Sequence, residues 1–227
     1  MYPFPHLKPQ EWTKQPLEIA KNNYNNHAAN DDDNNTSSQT YYYLISTDPS
    51  LLSLEAINSS FAQDFMYWTK PAPMETLQRM INNSICLGLY ECTSTTTASG
   101  DSTDNNNNNN DVEERPASTS SIAHGARTEP ASARIQIGFA RLVTDTVTFA
   151  YLTDVYVLPE YQGTGLGSWL LQCVDEVLDG MTDLRRFMLL TVGDRAEGFY
   201  RSVMGVETMG RNGKVIILGK KGRAGVV

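Results

Sequence analysis

The chain predicts an α/β (α+β) protein: one mixed sheet with helices on both faces. Three observations lead there. Apolar runs of strand length alternate with stretches of helical period. Residues 134–143 and 146–158 read as two strands joined across Thr144-Asp145, a hairpin-like connection that makes them antiparallel. The second of these strands runs through Pro159 into a glycine-rich loop and an amphipathic helix, and another buried strand follows. That order is a β-α-β crossover.

Residues 1–40 form a Pro- and Asn-rich leader, expected to be largely disordered with a local helix at 10–21. Residues 41–46 (YYYLIS) have strand composition. Asp48-Pro49-Ser50 is a helix-start signal, and 50–67 keeps a loose helical pattern through Leu51, Leu54, Ile57, Phe61 and Phe65. Pro71 and Pro73 break the chain before a second helix at 74–83, with Met74, Leu77, Met80 and Ile81 as its apolar positions. Residues 85–90 are a strand. The stretch 93–131 then interrupts the domain with six consecutive asparagines and many Ser and Thr. It has too little apolar surface to offset its ordering entropy. It reads as a disordered surface excursion, tolerated because loop closure grows only slowly with length. A substrate lid and a neutral expansion both remain open for it. Helix 165–178, strand 186–191, helix 195–203 and strand 214–218 complete a single domain over 41–219, with 220–227 as a tail.

Composition removes several function classes. The formal charge is −8, of which 22–39 holds −3 and 93–131 holds −4, so the rest of the chain is nearly neutral. No nucleic-acid footprint follows. No run approaches the roughly 18 apolar residues of a spanning helix, and the N-terminus lacks a secretory pattern. Cys86, Cys92 and Cys173 are odd in number and scattered, which suggests neither a disulfide framework nor a zinc site. A cytoplasmic location is expected. His6, His27 and His124 all fall in the leader or the low-complexity stretches, so a histidine-based nucleophile or metal site is not expected.

The chemistry concentrates in 154–168. Gly163, Gly165 and Gly167 alternate at a helix start, where unpaired N–H groups and the helix dipole favour a phosphate. No lysine follows Gly167, so a P-loop fails. The third glycine is one place early for a dinucleotide fingerprint. What fits is Gln/Arg-x-x-Gly-x-Gly/Ala, present as Gln162-Gly163-Thr164-Gly165-Leu166-Gly167 after Val155-Tyr156-Val157-Leu158-Pro159. This closely resembles the acetyl-CoA loop of the GNAT N-acetyltransferase superfamily. Ala196-Glu197-Gly198-Phe199-Tyr200 and Gly205-Val206 are similar to that superfamily's later motifs. Residues 138–145 and 148–158, with Tyr67-Trp68 upstream, resemble a small subgroup of unassigned acceptor. The resemblance covers about 41–91 and 134–219. The departures are the excursion, Val206 in place of Phe, and a 200–205 segment one residue longer than typical.

The resemblance implies a mostly antiparallel sheet, splayed where acetyl-CoA binds. It implies direct transfer of an acetyl group from acetyl-CoA to the primary amine of a small molecule or amino acid. Backbone groups of Val155, Tyr156 and Val157 would hold the pantetheine arm and the thioester oxygen. Gln162, Gly163, Thr164, Gly165, Leu166, Gly167 and Ser168 would hold the pyrophosphate. Tyr200 would protonate the leaving thiolate. Asp154 is the first candidate base and Asp145 the second. No metal, nucleic acid or membrane partner is implied. A non-catalytic acyl-CoA sensor and a protein acetyltransferase are the alternative readings.

Overall fold

The computed structural model describes residues 8–15, 38–96 and 133–226. Most of the expected leader, and 97–131 of the excursion expected at 93–131, lie outside the described residues, whereas 93–96 are not excursion but the end of a strand that pairs with 38–41. The strands are β1 (Glu11–Lys14), β2 (Ser38–Ser46), β3 (Ile85–Thr96), β4 (Ala133–Thr144), β5 (Phe149–Val157), β6 (Arg186–Val192), β7 (Glu207–Asn212) and β8 (Val215–Lys221). The helices are α1 (Leu54–Phe61), α2 (Met74–Asn82), α3 (Leu166–Asp179) and α4 (Asp194–Met204). All the strands belong to one sheet, ordered β1-β2-β3-β4-β5-β6-β8-β7. Every neighbouring pair is antiparallel except β5 and β6, which α3 connects as a crossover.

Helices cover both faces. The α3 side buries Leu170, Leu171 and Val174 against Leu87, Leu89, Ala140 and Leu152 of the sheet. The opposite face buries Ile57 and Phe61 of α1 and Leu77 and Ile81 of α2 against Cys86, Phe139 and Tyr156. Each such leucine or isoleucine contributes roughly 1.5–3 kcal/mol by leaving water.

Three elements differ from the sequence expectation. The N-terminal segment at 11–14 is a strand, not a helix. Trp12 packs on the core and its indole N–H donates to Glu176 Oε2 of α3 at 2.7 Å, while Lys14 Nζ lies 5.7 Å from the Trp169 ring. Both residues sit on one side of β1, a period-2 arrangement that a helix would break. Second, the expected helix over 50–67 is divided into a 3₁₀ turn at Pro49–Leu51, α1, and a second turn at Asp64–Met66. Ser53 makes the first division. Its hydroxyl caps Ala56 N at 3.1 Å, and its own N–H goes to Gln136 Oε1 of β4 at 2.9 Å. An amide committed to a neighbouring strand cannot also serve a helix interior. Third, β7 was not anticipated. It is almost wholly exposed and has no apolar period. It forms because Asn212-Gly213 turns the chain, with Gly213 at φ +60, and because Thr208 and Arg211 bond the buried Glu197 of α4.

The feature that positions the site lies in β5. Its ladder to β4 slips between Phe139↔Tyr156 and Arg141↔Thr153, so Asp154 and Val155 together face Ala140. Asp154 sits at φ +53, in the left-handed region. This bulge reverses which face successive residues present. Ala150 and Leu152 face α3, but beyond the bulge Val157 does so, and Tyr156 faces α1 and α2.

Candidate active site

The parallel pairing of β5 with β6 runs only from Phe149↔Arg186 to Leu152↔Leu189. Both strands continue past that point without pairing, β5 to Val157 and β6 to Val192. β6 is still held by β8 as far as Val192↔Val215, and β5 by β4 as far as Val157↔Gly138. The two strands therefore splay, leaving the β6-facing edge of 153–157 without a ladder partner. A cleft of about 400 Å³ opens there. Its walls include Thr153, Asp154 and Val155 of β5, Leu190 of β6, Tyr200 of α4, and Tyr67 and Trp68 from the loop before α2.

The glycine loop lies just beyond the splay. Pro159–Tyr161 makes one 3₁₀ turn, with Tyr161 N donating to Leu158 O at 2.9 Å. Three side chains hold the loop. Gln162 Nε2 donates to Val157 O at 2.9 Å, Thr164 Oγ1 to Tyr161 O at 2.7 Å, and the Tyr161 hydroxyl to Glu91 Oε2 of β3 at 2.8 Å. Gly163 and Gly165 adopt φ +78 and +82, which L side chains rarely accept. Gly165 is the N-cap of α3, and no side chain caps it. The first helical amide is Trp169 N, bonded to Gly165 O at 3.0 Å. The amides of Leu166, Gly167 and Ser168 precede it and have no helical carbonyl to reach. Gly167 is informative because the protein does not require it. A Cβ there would meet Phe199 Cζ at 3.7 Å, an ordinary contact. Glycine in a helical turn costs about 0.5–1 kcal/mol against alanine.

The predicted residues divide accordingly. Tyr200, Asp154 and Val155 line the cleft, whereas 162–168 form the loop beside it. Burial pushes the Tyr200 phenol up to about 12, with the Tyr67 phenol adding to the shift, so Tyr200 is protonated at neutral pH. The Tyr156 side chain turns away from the cleft into the α1–α2 cluster, and its phenol is likewise pushed up to about 12 by burial. Only its backbone faces the splay. Asp154 is buried, and its Oδ2 accepts from Arg141 Nε at 2.7 Å. Arg141 Nη1 also donates to Ser84 Oγ at 3.1 Å. Asp145 is away from the cleft. It closes the β4–β5 hairpin by accepting from Thr148 Oγ1 at 2.7 Å and from the amides of Val147, Thr148 and Phe149, which hold its carboxyl well below the usual carboxylate range.

Sequence reasoning passed over Arg141 and Tyr151. The signal for Arg141 was present: a lone charge in the apolar run 137–143 needs a buried partner, and Asp154 is the matching lone charge of β5. Trp68 is 46 % exposed at the cleft.

A splayed strand pair, a protonated phenol at the splay and an uncapped glycine-led helix beside it are what the resemblance to an acyltransferase using coenzyme A implies. The comparisons agree. A model of the acetyltransferase (GNAT) family matches residues 99–206. The Gibberella zeae protein named "Putative acetyltransferase FG08082" is 40% identical over 148 residues, spanning 65% of this chain and 71% of that protein. The chain belongs to the GNAT acetyltransferase family, and acetyl-CoA is its cosubstrate. Among solved structures, a GNAT-family acetyltransferase from Xanthomonas campestris pv. campestris, itself described as putative, is 29% identical over 70% of this chain and 81% of that one, with a TM-score of 0.45. Arabidopsis thaliana NAA60 in complex with acetyl-CoA is 14% identical over 81% of this chain and 99% of that one, with a TM-score of 0.46.

Proposed function

We propose that the protein moves the acetyl group of acetyl-CoA to the primary amine of a small molecule, by direct attack within a ternary complex. The observation that carries this reading is the end of the β5–β6 ladder at Leu152↔Leu189, with Tyr200 at the opening. The free edge of Val155, Tyr156 and Val157 holds the pantetheine arm in a sheet-like manner. One N–H of that edge faces the thioester oxygen and stabilises it as charge develops. The amides of 163–168 take the pyrophosphate.

In this mechanism the amine nitrogen bonds to the carbonyl carbon and the carbon–sulfur bond breaks. The leaving thiolate takes the proton of the Tyr200 phenol, and the proton lost by the amine passes through water to restore the phenol. Tyr200 suits the role because it enters the reaction protonated. The pairing of Asp154 with Arg141 favours a positioning role over that of a free base. Asp154 then fixes the bulge on which the edge amides depend.

The cysteines 86, 92 and 173 are free and buried, which supports a reducing, cytoplasmic setting. Calorimetric titration with acetyl-CoA followed by thiol release against primary amines tests the proposal. The expected result is binding, with thiol released only when an amine is present. Binding without release from any amine would point to a sensor, and release with peptide α-amines alone would point to a protein acceptor.

A further inference from the structure

Building on the acetyl-transfer reading, we infer that the acceptor is a primary amine on an aromatic or bulky apolar body, uncharged apart from that amine. The walls of the cleft argue for it. Tyr67 is 66 % exposed and Trp68 46 % exposed, although both are large aromatics. Their rings meet edge to face, with centroids 4.9 Å apart at 86°. Tyr151 and Tyr200 also line the cleft, and Leu190 and Val215, at 50 % and 41 % exposure, extend its apolar surface.

The aromatic wall is built into the fold. Met66, immediately before it, is buried. Thr69 N donates to Met66 O at 3.0 Å. Asn58 of α1 then grips the loop twice, donating from Nδ2 to Ala72 O and accepting from Ala72 N, both at 2.9 Å. A braced backbone carrying two exposed aromatic side chains at the mouth of a cleft is the arrangement expected of a binding wall.

Charge is the second observation. Among the described residues lining the cleft, Asp154 is the one charged side chain, and Arg141 holds its carboxylate. A polyamine would bring a second ammonium to a wall with no free anion. A free amino acid would bring a carboxylate to a wall with no cation. Each would be desolvated without a partner. A single amine meets aromatic faces, which attract a cation and also pack an apolar body.

The test is thiol release by the full chain at saturating acetyl-CoA. The panel is phenylethylamine, indolylethylamine and hexylamine against spermidine, alanine and lysine. Arylalkylamines should exceed spermidine and the amino acids in kcat/KM by about tenfold or more, the worth of one or two good ring contacts. Trp68→Ala should raise the KM of the arylalkylamines by about fivefold or more and leave the calorimetric Kd for acetyl-CoA unchanged. Preference for spermidine or an amino acid would overturn this inference while leaving acetyl transfer intact. An unchanged arylalkylamine KM in Trp68→Ala would overturn it too. Acetyl-CoA binding with no thiol release from any amine would remove the acetyl-transfer reading and this one with it.

Discussion

Replacing Asp154 with asparagine separates the two roles open to that residue. Asparagine tolerates the left-handed backbone that φ +53 demands. It also keeps a side-chain oxygen for Arg141 Nε, now 2.7 Å away. What it removes is the charge. Losing the counter-charge of a buried pair costs about 3–5 kcal/mol, and the bond Arg141 keeps to the amide oxygen, a hydrogen bond to a charged group, returns about 1.5–3, so about 1.5–2 kcal/mol of stability should be lost. Alanine removes the acceptor as well. It leaves the Arg141 guanidinium, whose side chain is 14% exposed, with neither a counter-charge nor an acceptor at Nε, so the whole loss of about 3–5 kcal/mol stands. It also puts a poorer residue at positive φ, for about 1–2 kcal/mol more. Urea unfolding and thiol release on the same preparations read both quantities. If Asp154 holds the bulge, Asp154→Asn is mildly destabilised and keeps kcat within about tenfold, whereas Asp154→Ala loses stability and turnover together. A general base contributes about a hundredfold to ten-thousandfold. A folded Asp154→Asn protein with a loss in that range would refute the positioning argument and restore Asp154 as the base.

Tyr200→Phe should lower kcat by about a hundredfold or more and leave the calorimetric Kd for acetyl-CoA unchanged; an unaltered kcat would remove Tyr200 from the proton path. Burial pushes the Cys86 thiol from 9.0 up to about 12, so the folded state binds that proton more tightly than the unfolded state. Its contribution to stability is complete below pH 9 and declines as pH rises through 12, by up to about 1.4 kcal/mol per pH unit. Urea unfolding across that alkaline window should show a steeper decline for the parent protein than for Cys86→Ala. Gly198 and Gly165 would each point a Cβ into open space, yet only Gly165 has a positive φ. Gly198→Ala, inside α4, should therefore stabilise by about 0.5–1 kcal/mol. Gly165→Ala should destabilise by about 1–2 kcal/mol and weaken acetyl-CoA binding, both measurable by thermal unfolding and calorimetry.

Much of the fold was legible because its elements announce themselves locally. Pro73 and the apolar spacing of Leu77 and Ile81 placed α2 to within a residue. The glycines placed the start of α3, and Thr144-Asp145 placed the hairpin. What escaped depends on partners distant in sequence. β1 is a strand because β2 supplies its ladder and α3 takes its tryptophan. The division before α1 exists because Gln136, 83 residues away, claims the Ser53 amide. β7 has no hydrophobic pattern to read, since it is held by backbone pairing with β8 and by the Glu197 network. The loop at 162–168 was visible as spacing, whereas the aromatic wall was not, because nothing in Tyr67-Trp68 itself distinguishes a buried pair from one braced by Asn58 at a cleft.

The bulge at Asp154 shows why a charged residue stands inside β5. A plain alternation continued from Ala150 and Leu152 would turn residue 156 toward α3. It is Tyr156 that stands there, and its phenol lies instead among the α1–α2 residues, near Ser60 and Gln136. The inserted residue reverses the faces so that Val155 and Val157 pack on the α3 side beside the glycine loop. Glycine would satisfy the backbone at this position more cheaply, but it would leave Arg141 without an anion in a buried site. Aspartate satisfies both demands. On this view Arg141 and Asp154 act as one device, in which the ion pair holds the bulge and the bulge sets the unpaired edge proposed to receive the thioester.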